Sequence, residues 1–130
     1  MTLERVNPAE LARPSGFAHA VIGHGTTVFL AGQTALDADG RIVGDGVVAQ
    51  FEVALRNLLT ALAGAGGRPD QLTSLTVYIV DMDDYKANAT AIGAVWKRLV
   101  GRDYPAMAGI GVHRLWDAEA LVEVQGFAVI

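Results

Sequence analysis

Glu123 and Gln125 lie in a run, Leu121 to Ala128, in which Leu121, Glu123, Gln125 and Phe127 alternate with Val122, Val124, Gly126 and Ala128. Successive side chains of a strand point to opposite faces, so the even positions form a core face and the carboxylate and amide share the other. A carboxylate so placed can move a proton or orient a water molecule. It can equally meet a polar partner across an interface, and the spacing alone does not choose between the two. His19, His24 and His113 are the side chains of the type whose ordinary pKa lies near neutrality, and none has metal-ligand spacing. His24 stands between glycines in a turn and reads as solvated, whereas His19 and His113 read first as hydrogen-bonded structural residues. The chain has no cysteine, hence no thiolate nucleophile or thiolate metal site. Ser15 and Ser74 lack the strand-to-helix elbow that activates a serine. The glycines at 23 and 25, at 44 and 46, and at 64, 66 and 67 fit neither a phosphate loop nor a dinucleotide fingerprint and read as turns.

These candidates need a scaffold. The 130 residues are 52% hydrophobic and 18% charged, which predicts one folded domain over 1–130. A chain this short buries only about two-thirds of its unfolded surface by itself, so the apolar excess points to burial between subunits. Ten Lys and Arg against 14 Asp and Glu leave a formal charge of −4, which offers no general attraction to nucleic acid. Glu4, Arg5, Glu10 and Arg13 interrupt the N-terminal apolar stretches, so neither a signal segment nor a membrane span is expected there or elsewhere. The expected location is the cytosol.

Asn7-Pro8 and Arg13-Pro14-Ser15-Gly16 mark residues 1–15 as a lead-in arm. Phe17–Ile22 and Thr26–Gly32 read as two strands of a hairpin around Gly23-His24-Gly25. Asp37 to Gly40 is a turn, and Arg41–Val43 a possible short return strand. Val48, Phe51, Leu55, Leu58, Leu59 and Leu62 follow helical spacing over Val47–Ala63, with Gln50, Glu52, Arg56 and Asn57 opposite, Asp45 as the cap and Gly64, Gly66 and Gly67 as the stop. Thr73–Val80 predicts a central strand. Asp81, Asp83 and Asp84 open a second helix with Tyr85, Ala89, Ile92, Trp96, Leu99 and Val100 on one face. Lys97, Arg98 and Arg102 complement the negative end of its dipole. Strands follow from Tyr104-Pro105 to about Val112 and from Ala120 to Ile130. The predicted order is β-β-α-β-α-β-β: an α+β sandwich of two layers, a mixed sheet with both helices on one face. Its other face then needs cover from neighbouring subunits.

Several of these stretches together resemble the Rid family of reactive intermediate deaminases (RidA/YjgF-like). They are Val28-Phe29-Leu30-Ala31-Gly32-Gln33, Gln50 with Asn57-Leu58-Leu59, Leu75-Thr76-Val77-Tyr78-Ile79-Val80-Asp81, Tyr104-Pro105-Ala106, and Leu121-Val122-Glu123-Val124. The resemblance runs from about Gly16 to the end. It implies a chorismate-mutase-like fold, a homotrimer with clefts between subunits, and hydrolysis of small enamines or imines to keto acids and ammonia without a metal or organic cofactor.

The departures from the pattern bear on substrate. The resemblance places at 107 an arginine that grips the substrate carboxylate as a bidentate fork, and here the residue is Met107. Phe17 replaces a tyrosine, Ala31 a serine, Gly109 a frequent cysteine, Gln125 a second acid, and Trp116 a proline beside the cleft, while Asn88 persists. Arg114 falls on the opposite strand parity from 107 and is not expected to replace the arginine. The resemblance therefore implies Glu123 as the catalytic group, with Phe17, Ala31, Asn88, Met107, Gly109, Trp116 and Gln125 around the substrate. The expected function is an imine or enamine hydrolase of altered substrate preference. The competing reading is a trimer that binds an apolar metabolite without turnover.

Overall fold

Two sheets organise the chain, which a computed structural model describes over residues 3–130. The elements are β1 (Glu4–Val6), β2 (Ala20–Ile22), β3 (Thr27–Gln33), α1 (Val47–Gly64), β4 (Leu72–Ile79), α2 (Met82–Ala87), α3 (Ala89–Leu99), β5 (Ala106–Gly111) and β6 (Val122–Val129). The main sheet has the order β3-β6-β4-β5, antiparallel except for the parallel pair β4–β5. A parallel pair needs a long crossover, and α2 and α3 supply it. This is the expected α+β architecture, a mixed sheet with helices on one face.

Packing follows the apolar periodicities. Phe51, Leu55, Leu58 and Leu62 of α1 and Ile92, Val95 and Trp96 of α3 are buried against Leu75, Val77, Val122 and Val124 of the sheet. At the end of α1, Gly66 adopts φ 91°, which a side chain would resist, and the Gly67 amide donates to the Leu62 carbonyl at 2.9 Å. By length and composition α1 could cross a membrane, contrary to expectation, but its apolar stripe is spent on the sheet.

Other expectations need correction. Residues 1–15 are not simply an arm: Glu4–Val6 pairs with β2, and residues 1 and 2 lie outside the described residues. The first strand shortens to Ala20–Ile22, and β2 and β3 form no hairpin with each other. The glycine turn satisfies local geometry, but Val28 and Leu30 find Ala128 and Gly126 in register across the core, and that burial decides the pairing. Arg41–Val43 makes only an isolated bridge, Leu36 to Ile42. Gly46 rather than Asp45 occupies the N-cap of α1, with no side-chain cap. Asp81 does cap α2, accepting from the Asp84 amide at 3.0 Å, but the expected single helix breaks into α2 and α3 at Asn88, where ψ turns to 16°.

Two polar residues expected on the wet side of α1 are anchors. Gln50 is buried; its amide donates to the Glu119 carbonyl at 3.1 Å and accepts from the Leu121 amide at 2.9 Å, which fixes the start of β6. Asn57 donates to the carbonyls of Thr34 and Leu36 at 3.1 and 2.9 Å. Arg98 does more than complement a dipole, because it reaches Glu52 on α1 at 2.7 Å, and Arg56 reaches the same carboxylate at 3.1 Å.

These guanidinium hydrogen bonds, Arg98 first, hold the Glu52 carboxyl below its ordinary value. A lowered folded-state pKa stabilises above the unfolded-state value and is lost as pH falls through the folded one. Glu52→Gln is therefore expected to cost a few tenths to about 1 kcal/mol at pH 7, the scale of a surface pair. Thermal melts of the two proteins should converge as pH drops through the acidic range.

Candidate functional site

Register decides which candidate residues can meet. Glu123 stands opposite Tyr78, Gln125 opposite Thr76 and Phe127 opposite both Ser74 and Phe29, so these side chains share the face of the sheet away from the helices. Among the described residues no helix covers that face. Phe29 is 77% exposed there and packs edge-to-face on Phe127, ring centroids 5.3 Å apart. The expected parity of β6 holds: Val122, Val124 and Ala128 are buried in the core.

Glu123 has no hydrogen-bonding or ion-pair partner among the described residues, while its neighbour Gln125 accepts a hydrogen bond from the Tyr78 hydroxyl at 3.3 Å. The carboxylate lies over Gly32, where any Cβ would collide with it. Ala31, next to this contact, is exposed on the same edge strand. Glu123, Gln125 and Ala31 thus form one group, with a carboxylate at its centre that makes no hydrogen bond or ion pair among the described residues.

Met107 and Gly109 belong to the opposite side. They pair with Leu75 and Val77, residues of the helix-covered face. A cavity of about 200 Å³ opens there, lined by Gly16, Phe17, Val77, Ile79, Tyr85, Met107, Ala108 and Gly109. Phe17 is held at its mouth by an edge-to-face contact with His19 at 5.0 Å, and His19 is itself fixed through Nε2 on the Ala12 carbonyl at 2.7 Å. The N-terminal segment is tied down further by Arg5, which donates to the Tyr104 carbonyl at 2.8 Å. Among the described residues the outer edge of β5 pairs only through a bridge between Ala18 and Ala106, so the backbone of residues 107 to 109 borders the cavity without a strand partner on that side.

The remaining candidates stay apart from both groups. Asn88 donates its side-chain amide to Asp84, at 2.8 Å to the carbonyl and 3.2 Å to the carboxylate, and acts as a joint between α2 and α3. Trp116 is 92% exposed and does not line the cavity beside β5. Arg114 lies beyond the end of β5, so strand parity does not govern it; its guanidinium donates to the carbonyls of Leu115 and Trp116. Among the described residues no group of three or more His, Cys, Asp or Glu side chains is placed to hold a metal ion.

Tyr85 packs against the core, as expected from its helical spacing, and has a second role. It lines the small cavity and the larger one beside it, and burial raises its phenol above the ordinary value, so it is a neutral hydrogen-bonding group at pH 7. Gly16, read as punctuation, is a wall of both cavities. Nothing local marked either residue, because their role comes from α2 and the N-terminal segment converging on β5.

A family model described as endoribonuclease L-PSP matches residues 8–130. A solved protein of the conserved Rid family, YyfB from Yersinia pestis, is 34% identical, with full coverage of both chains and a TM-score of 0.89. The RutC family protein UK114 of Drosophila melanogaster is 30% identical over 95% of this chain and 87% of its own length. The 2-iminobutanoate/2-iminopropanoate deaminase of Capra hircus is 31% identical over 79% of this chain and 72% of its own.

Proposed function

Because the chain belongs to the Rid family, we propose that it is a cofactor-independent imine or enamine hydrolase whose reacting cleft is shared by two subunits of a homotrimer. One observation carries the reading: the two groups of candidate residues lie on opposite faces of one sheet. Met107, Phe17 and Gly109 line a cavity on the helix side, while Glu123 stands unpartnered on the open side. A single chain cannot bring both to one substrate. A neighbour's open face laid across the mouth of the cavity does, and it buries the exposed Phe29 and Phe127 in the same step.

In that cleft an iminium carbon is held between the apolar wall and Glu123. Glu123 takes a proton from water as the oxygen adds to the carbon and returns it to the nitrogen; as the C–N bond breaks it takes the remaining hydroxyl proton and passes it to the departing ammonia, giving the carbonyl compound and ammonium and restoring the carboxylate. Backbone groups of residues 107 to 109 on the free edge of β5 bind the polar end of the substrate. A ribonuclease role receives no such support, since the charge of −4 offers no path for a polyanion.

Met107 sets the preference. It contributes neither charge nor hydrogen bonds where a guanidinium fork would hold a carboxylate, so imines lacking a carboxylate at the reacting carbon are favoured. A coupled hydrolysis assay over charged and uncharged imines, referred to the spontaneous rate, tests this. Acceleration led by the uncharged members is expected, and saturable binding without acceleration would make the protein a binding module instead. Met107→Arg should raise kcat/KM for 2-iminopropionate at least tenfold, the lower end of what a desolvated charge pair supplies. No gain in a folded, trimeric variant would mean that position 107 does not govern carboxylate recognition.

A further inference from the structure

Beside the small cavity lies a larger one of about 470 Å³, and the two share Gly16, Tyr85 and Met107. The larger space belongs to the size class of small-molecule sites. Tyr85 and Tyr104 present partly exposed rings to it, while Trp96, stacked behind Tyr104 at 5.4 Å and 11°, and Phe51 back the wall from the core. Among the described residues Lys97, itself exposed, is the one charged residue that lines it, and no Asp or Glu does. The next residue, Arg98, is engaged by Glu52, whereas Lys97 has no ion-pair partner among the described residues. A ring-lined space with one unpaired cation and no opposing carboxylate has the chemistry of a site for an apolar body with one negative end.

We propose that this cavity binds an aromatic monocarboxylate, its carboxylate on the Lys97 ammonium and its ring against Tyr85, Tyr104 and Met107. The inference rests on the hydrolase reading only for its link to the reaction: Met107, flexible and unbranched, lines both cavities, so a ligand held here extends toward the reacting cleft. Its carboxylate recognition comes from α3 and not from β5, at a different place from the fork that position 107 lacks.

Calorimetry on the intact wild-type protein with 3-phenylpropionate, 3-phenylpropanamide and propionate tests it without requiring turnover. The aryl acid should bind about tenfold more tightly than its amide, reflecting the charge pair, and about a hundredfold more tightly than propionate, reflecting burial of the ring. Lys97→Met should remove the preference for acid over amide and leave the amide's affinity as it was, while Lys97→Arg should keep the preference. Equal affinity of acid and amide in the wild type, or an unchanged preference in Lys97→Met, would overturn the proposal. Loss of turnover in Glu123→Gln together with failure of this binding pattern would defeat the larger site alone. The binding pattern without any imine hydrolysis would defeat the hydrolase reading alone.

Discussion

Glu123→Gln is expected to lose about 10²-fold or more in imine hydrolysis, the usual scale for removing a general acid–base group, while melting within a degree or two of the wild type. The glutamine keeps the shape and a carbonyl acceptor but cannot carry the proton from water to the leaving nitrogen. Stability should hold because Glu123 makes no hydrogen bond or ion pair among the described residues that the change could break. A role at the interface alone would give the reverse result: a weaker trimer, with activity following the surviving fraction. Gly32→Ala approaches the same question from the other side. Its Cβ would occupy the place of the Glu123 carboxylate, so the variant should lose activity by displacing that group with its chemistry intact. Steady-state kinetics with melting curves and sedimentation on both variants separates these cases.

Phe127→Asp is expected to turn the assembly into monomers and to abolish turnover with it. Phe29 and Phe127 form one aromatic patch on the open face, 77% and 41% exposed in the isolated chain. Placing an unpaired carboxylate where that patch is to be buried costs several kcal/mol per subunit, enough to dissociate an assembly that depends on the face. The helix-side core contains neither residue, so far-ultraviolet circular dichroism should stay native. Sedimentation should give about three times 13.7 kDa for the wild type and the single-chain mass for the variant. A trimeric and active Phe127→Asp would show that this face is not the interface.

What could be read from the sequence was what local periodicity encodes. The alternation through Leu121–Phe127 placed Glu123 and Gln125 opposite the core, and the spacing from Val48 to Leu62 gave α1 within a residue or so. Pairings across the chain were not legible in the same way. The Gly23-His24-Gly25 turn would suit a hairpin, yet β3 takes β6 as its partner because the apolar faces match there. Gln50 and Asn57 looked solvated by residue type, but each reaches loop carbonyls that only the folded chain brings within range. The division of the site between two faces was the least legible part. It depends on Met107 lying in register with Leu75 while Glu123 lies in register with Tyr78, and both registers are set through β4 by connections far along the chain.

The shared cleft can be tested by mixing two variants that are each inactive for a different reason. Glu123→Gln disables the open-face half. Gly109→Leu fills the small cavity on the other half, and its Cβ meets only Ile79 at an ordinary 3.6 Å, so the strand accommodates it. In a cyclic trimer each cleft joins unlike faces of adjacent subunits, so a mixed trimer holds one cleft with both halves intact. Co-refolding the two variants in equal amounts and assaying imine hydrolysis should recover about a quarter of wild-type activity, the fraction of intact clefts under random assembly. Mixed trimers, verified by native mass spectrometry, that remain as inactive as either parent would contradict a site built from two chains.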